Sequence, residues 1–199
     1  SLESHPLVLV GADFNKEALI ATSSHFKQEE VDGYFIWGDI GDPDRLALDL
    51  WDYHNIKLGD LLSVRSFLDH NRIFNRPKVN RKKNTISTGA FAYRGERLRL
   101  RDVEQSLKEH FEKWLPYVSR YGLLLVELHT IDPENASRLQ GEIPATAYDA
   151  THGFTDQYIV EIPVFDAMAK EAGLLVDYAI SRTFPSRLPA TVSIRFFKA

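Results

Sequence analysis

The chain has 199 residues, 44% of them hydrophobic and 26% charged, and a formal net charge of −4. That length and balance suit one soluble globular domain with a sizeable core, and they argue against general nucleic-acid binding and, with no apolar run near the ~18 residues of a membrane span, against a membrane partner. There is no cysteine, which excludes disulfides and thiolate metal sites and, with no visible signal peptide, fits a cytoplasmic protein.

The elements alternate. The apolar run ending in Asp13 predicts a buried strand over 7–13, and the pattern that follows predicts a helix over about 15–29. "YFIWGDI" (34–40) reads as a second strand, and 43–54 as a helix with Pro43 in its first turn. A third strand within 60–70 ends near Arg65. Residues 71–101 read as a long irregular segment. The amphipathic stretch 102–122 predicts a helix with Asp102 as N-cap and Gly122 as its stop. "LLLVELHT" (123–130) predicts a fully buried strand, 131–151 a loop, and 157–173 a segment that is mostly helix. Two closing strands, 174–181 and 191–199, are joined by a short connection with two prolines, too short for a helical crossover, so they should form an antiparallel hairpin. Alternating strands and helices imply an α/β fold with a mostly parallel sheet covered on both faces.

A Rossmann-like parallel sheet closed by an antiparallel hairpin resembles the class I S-adenosylmethionine methyltransferases. Asp13 stands where those enzymes carry a ribose-binding acid. "GDIGDP" (38–43) resembles the segment that approaches the adenine, and "VRSFLDHNR" (64–72) the segment bordering cofactor and acceptor. "FLDHNR", "ELHT" and "HGFTDQY" together resemble the C-methyltransferase-type domains of modular polyketide synthases and their free-standing relatives, some of which are metal-dependent. The resemblance implies a single methyltransferase domain over 1–199 with a basic insertion at 71–101. It implies methyl transfer from S-adenosylmethionine to a carbon of an acyl substrate, small or carried on an acyl carrier protein. No glycine falls in an acidic-G-x-G-x-G loop. By this resemblance the chain starts at the second strand, without the first strand and the glycine loop, and alone would bind cofactor weakly and lack full activity. Transfer to oxygen or nitrogen, or a non-catalytic binding domain of the same fold, are the alternatives. The oligomeric state is not legible.

Candidate site residues follow from position at strand ends, where ligands bind in open α/β sheets. The resemblance implies Asp13, Phe14, Asp39, Ile40, Arg65 and Ser66 as the cofactor-binding residues. An ionised carboxylate such as Asp13 accepts hydrogen bonds from a vicinal diol, although an acid there also serves a helix N-terminus. His70 and His152 are candidate general bases, because imidazole titrates near working pH. His129, His152 and Gln157, with Asp69 as a fourth, could hold iron, manganese or zinc, which would stabilise an enolate; hydrogen-bonded histidines without a metal are the plainer alternative. The basic residues of 71–101 read first as a solvated, partly disordered loop, and otherwise as a docking surface for an acidic carrier protein and its phosphopantetheine arm. Trp37, Trp51 and Trp114 read as core, and His5, His25, His54 and His110 as surface.

Overall fold

The structure is a computed structural model, and it describes residues 7–151 and 154–199. The chain divides into two compact units, one up to Leu58 and the other Gly59–Ala199. Each builds part of the expected α/β pattern from its own strands.

In the first unit, β1 (Leu9–Asp13) and β2 (Gly33–Trp37) pair in parallel, with Asp13 opposite Trp37. They are connected by α1 (Lys16–Gln28), which starts at the Asn15 cap: its side-chain oxygen accepts from the amides of Glu17 and Ala18. α2 (Pro43–His54) follows, capped by Asp42. The core of this unit is small: Ile36, Leu46, Leu50 and Leu58 are buried, and α1 buries no residue fully. Trp37 and Trp51 are therefore not core residues as their apolar character suggests. They are 44% and 47% exposed; the Trp37 indole N–H donates to the Phe14 carbonyl, and Lys57 sits over the Trp51 ring.

The second unit holds the larger core. β3 (Ser63–Ser66) pairs in parallel with β6 (Leu123–Leu128). β6 pairs antiparallel with β9 (Val192–Lys198), which also takes β7 (Leu175–Val176) and β8 (Arg182–Phe184) antiparallel along its length. The C-terminal hairpin is thus present as β8–β9, while the segment expected as one strand from 174 is split into β7, a turn and β8. Two helices pack against each other on this sheet, α3 (Leu100–Val118) and α6 (Ile162–Glu171). Phe111 and Phe165 meet edge to face at 5.2 Å over Phe197. Gly122 ends the α3–β6 turn at φ +92°, where a side chain would meet the Phe196 ring and the Phe197 carbonyl, so only glycine fits.

Three boundaries depart from the sequence pattern. Asp102 is not the N-cap of α3; the helix begins at Leu100, and Asp102 in its first turn pairs with Arg99 instead. Residues 131–151 form two short helices, α4 (Pro133–Arg138) and α5 (Ala145–Thr151). Residues 158–160 are buried extended chain, so α6 starts five residues later than the apolar pattern suggests.

The basic segment is ordered. It contains a small hairpin, β4 (Ala92–Tyr93) with β5 (Glu96–Arg97), and it buries Phe74, Arg81, Ser87 and Phe91. Carboxylates from the helices read its backbone. Glu104 of α3, fully buried, accepts from the Ile86 and Ser87 amides at 2.7 and 2.9 Å and faces Arg81. Glu161 accepts from Ser87 Oγ and from the amide and hydroxyl of Thr88, and Glu109 from the Lys78 and Val79 amides. Arg81 makes a two-pronged pair with Glu171 at 2.9 and 3.0 Å. Composition alone suggests a solvated loop; what overrides it is this set of acceptors, spread over residues distant in sequence, that satisfies the segment's amides.

Candidate functional site

The first unit brings two of the predicted cofactor residues together. The parallel register places Asp13 at the carboxyl end of β1 beside the end of β2, where the Gly38 amide donates to the Asp13 carbonyl at 3.1 Å. Asp39 follows at once. Each acid uses one carboxylate oxygen on its own turn, Asp13 on the Asn15 amide (2.8 Å) and Asp39 on the Gly41 amide (2.7 Å). These bonds fix the carboxylates, and a second oxygen on each remains as an acceptor. Phe14 is largely exposed and Ile40 half-buried at the same edge.

The second unit gathers a buried polar cluster at the carboxyl ends of β3 and β6. Glu127 is the one acid in the strand Leu123–Leu128, and it points inward, 1% exposed. It accepts from the amides of Leu128 and His70, and its other contact is a short hydrogen bond to His70 Nδ1. The carboxylate thus fixes the imidazole's orientation, and it favours Nδ1 as the protonated nitrogen and Nε2 as the basic one. The main chain adds a clamp, because the Tyr158 amide donates to the His70 carbonyl at 2.8 Å.

Asp69 holds the same turn from the other side. Its Oδ1 accepts from Arg65 Nη1 (2.8 Å) and His110 Nε2 (2.9 Å), and Arg72 Nη1 donates to its carbonyl (2.8 Å). The Arg65 guanidinium lies 3.9 Å from the Trp114 ring centroid. Burial alone would raise the Asp69 carboxyl, but Arg65 and the hydrogen bond from His110 outweigh it and hold it well below the usual carboxylate range. Burial pushes His110 down to about 4 despite its bond to Asp69, so it is neutral at pH 7. Burial also lowers Arg72, to about 10; it stays a cation near Asp69, Glu127 and Tyr158. His110, which lacks any special sequence context and reads as a surface residue, is in fact 5% exposed and part of this cluster.

The three proposed metal ligands that fall among the described residues, His129, Asp69 and Gln157, are each engaged elsewhere. His129 is fully buried, with Nδ1 3.1 Å from the Val160 carbonyl and Nε2 2.7 Å from Ser193 Oγ. Both ring nitrogens are engaged, the ring packs on Phe165, and burial lowers its pKa to about 3. Asp69 is committed to Arg65 and His110, and Gln157 donates to Asn71 Oδ1. His152 lies outside the described residues. Among the described residues no group of three or more His, Asp or Glu could hold a metal ion. Arg65, expected at the cofactor, is likewise bound to Asp69 and Trp114, whereas Ser66 is exposed at the strand end.

Sequence reasoning placed His70 at this edge but gave Glu127 no role. The available signal was an acid at an inward-facing position of an otherwise apolar strand, which must find a partner to be buried. Arg72 was read only as one more charge of the basic segment.

The family described as the AprA MT2-like domain, a methyltransferase family, matches residues 1–195. No curated protein matches the chain. Among solved structures, one described as LepI in complex with SAM aligns over 99% of this chain and 37% of its own, with 9% identity and a TM-score of 0.51. One described as a pericyclic reaction enzyme aligns over 100% of this chain and 44% of its own, with 10% identity and a TM-score of 0.44. The chain spans well under half the length of either. Among the described residues no helix is long and apolar enough to cross a membrane.

Proposed function

We propose, for a chain that belongs to the AprA MT2-like family of methyltransferase domains, that it transfers a methyl group from S-adenosylmethionine to a carbon of an acyl substrate, with His70 as general base. The observation that carries this reading is the His70–Glu127 pair at the ends of two adjacent parallel strands. A carbon acceptor must lose a proton before it can attack a methyl group. Imidazole held by a carboxylate through Nδ1 is suited to take it at Nε2. The Glu127 charge stabilises the imidazolium that forms.

Removing that proton leaves an enolate, and its charge needs a counterpart. Among the described residues, the positive charge nearest in sequence to the base is Arg72, two residues from His70, whose Nη1 donates to the Asp69 carbonyl. S-adenosylmethionine supplies the electrophilic methyl group when bound. Asp13 would accept from its ribose hydroxyls, and Asp39 with Ile40 would border its adenine. These roles rest on the acceptor oxygens at the β1 and β2 ends. The acyl group could arrive on a small thioester or on an acyl carrier protein.

The test is to supply the protein that carries this chain with methyl-labelled S-adenosylmethionine and acyl thioesters, and to locate the label by mass spectrometry and NMR. Label on the carbon next to the thioester carbonyl is the expected result. Label on oxygen or nitrogen would overturn the carbon-acceptor reading, and absence of transfer to any acceptor would favour a binding domain.

A further inference from the structure

The ordered basic segment divides its charges by side. Its backbone amides face carboxylates contributed by the helices: Glu104 and Glu109 of α3 and Glu161 at the start of α6. One buried cation, Arg81, is matched by Glu104 and Glu171. Four acceptors, Glu104, Glu109, Glu161 and Glu171, are thus used on its inner side, while Glu96 and Asp102 stand on the outer side. On the outer side Arg76 and Arg97 are exposed. Arg76 is 90% exposed and comes no closer than 4.0 Å to Glu96, itself 81% exposed, which is a weak pairing. Arg97 has no carboxylate within ion-pair distance among the described residues. Arg99, itself exposed, pairs with Asp102 through two bonds, 2.8 and 3.2 Å.

These three arginines line one cleft of about 400 Å³ together with Glu96 and Asp102, which leaves one positive charge in excess. Phe74, Pro77 and Leu98 give it apolar wall. A second cleft of about 260 Å³ shares the Arg97–Leu98–Arg99 wall. Guanidinium groups converging on a cleft suit a phosphate, whose oxygens accept paired N–H bonds and whose charge balances more than one cation. The backbone on both sides of the cleft is held before any ligand arrives, by Glu109 on the Lys78 and Val79 amides and by the β4–β5 hairpin. Binding then costs little ordering.

We infer that the cleft between residues 74–80 and β5 is a binding site for a phosphate-bearing ligand, with Arg76 and Arg97 as the anion-holding residues beside the Arg99–Asp102 pair. The volume leaves room for an organic group attached to the phosphate. This site uses neither the proposed base nor the proposed cofactor residues, so it stands or falls apart from the methyl-transfer reading.

The experiment is isothermal titration of the protein with inorganic pyrophosphate at low and at physiological salt. Saturable one-to-one binding that weakens with salt is expected. The double variant R76E/R97E should lose at least about tenfold in affinity, since two charge-assisted contacts become repulsions. The variant K16E/K82E makes the same change in net charge at exposed positions outside the cleft and should lose less than about threefold, as screened charges at a distance do. Circular dichroism checks that both variants fold. Equal losses in the two variants would overturn the site in favour of a general charge effect. Absence of saturable binding to the wild-type protein would overturn it outright.

Discussion

Two buried neutral histidines make the second unit acid-sensitive in a defined window. His110 is held down to about 4 and His129 to about 3, in both cases chiefly by burial, while an unfolded histidine titrates near 6.5. Between the folded and unfolded values the unfolded chain binds more protons, so stability rises with pH there and is lost as pH falls from about 6.5 toward 4. Integrated from pH 7 to pH 5, each histidine withdraws about 2 kcal/mol, or about 4 kcal/mol together. Asp69, although its carboxyl is depressed, contributes almost nothing in this window, because its unfolded pKa already lies below it. The assay is urea unfolding followed by far-ultraviolet circular dichroism at half-unit pH steps. The variants H110Q and H129Q, each lacking one titrating group, should show a pH slope reduced by about half, whatever their absolute stability. A wild-type stability that stays flat from pH 7 to 5, or a slope that neither substitution alters, would refute the reasoning.

Other outcomes follow from single contacts. Glu104→Ala removes the acceptor for two amides and one partner of Arg81, so it should cost about 3 kcal/mol and open residues 82–90 to limited proteolysis under conditions where the wild-type segment resists. Gly122→Ala adds a side chain at φ +92°, within 3 Å of the Phe196 ring and the Phe197 carbonyl; urea unfolding should show a loss of at least about 2 kcal/mol. Asp13→Asn should weaken S-adenosylmethionine binding by about tenfold in calorimetry while leaving the melting temperature within a degree or two.

Much of the fold was legible because burial writes itself into local pattern. The run after Gly122 alternates buried and half-buried as a core strand does, the run before Asp13 forms a strand although none of its residues is fully buried, and 43–54 carries its proline in the first turn, which tolerates it. The Gly122 stop was readable for the same local reason. The basic segment was not legible. Its order depends on Glu104, Glu109, Glu161 and Glu171, which lie on other elements, and nothing in the spacing of 71–101 announces acceptors supplied from elsewhere. The site divides in the same way. Asp13 and His70 could be found because they sit next to recognisable strand ends. The partner that gives His70 its chemistry, Glu127, is fixed by register and packing. The His129 part of the metal reading meets the same limit. Position at a strand end says that His129 is near the edge, but the side chain's direction is set by alternation along β6, which turns it inward to Val160, Ser193 and Phe165. His110 was missed because one polar residue on a buried helix face is invisible unless its partner is known, and Asp69 is 41 residues away.

The central claim is that His70, oriented by Glu127, removes a proton from the acceptor carbon. It is tested most directly by deuterium exchange at the carbon next to the carbonyl of an acyl thioester, followed by mass spectrometry in heavy water with the protein that carries this chain. Base catalysis of this kind contributes about 10²- to 10⁴-fold. The wild-type protein should accelerate exchange, His70→Ala should return it to the background rate, and Glu127→Gln should fall between them with its fold intact. Exchange by His70→Ala at the wild-type rate would contradict the account.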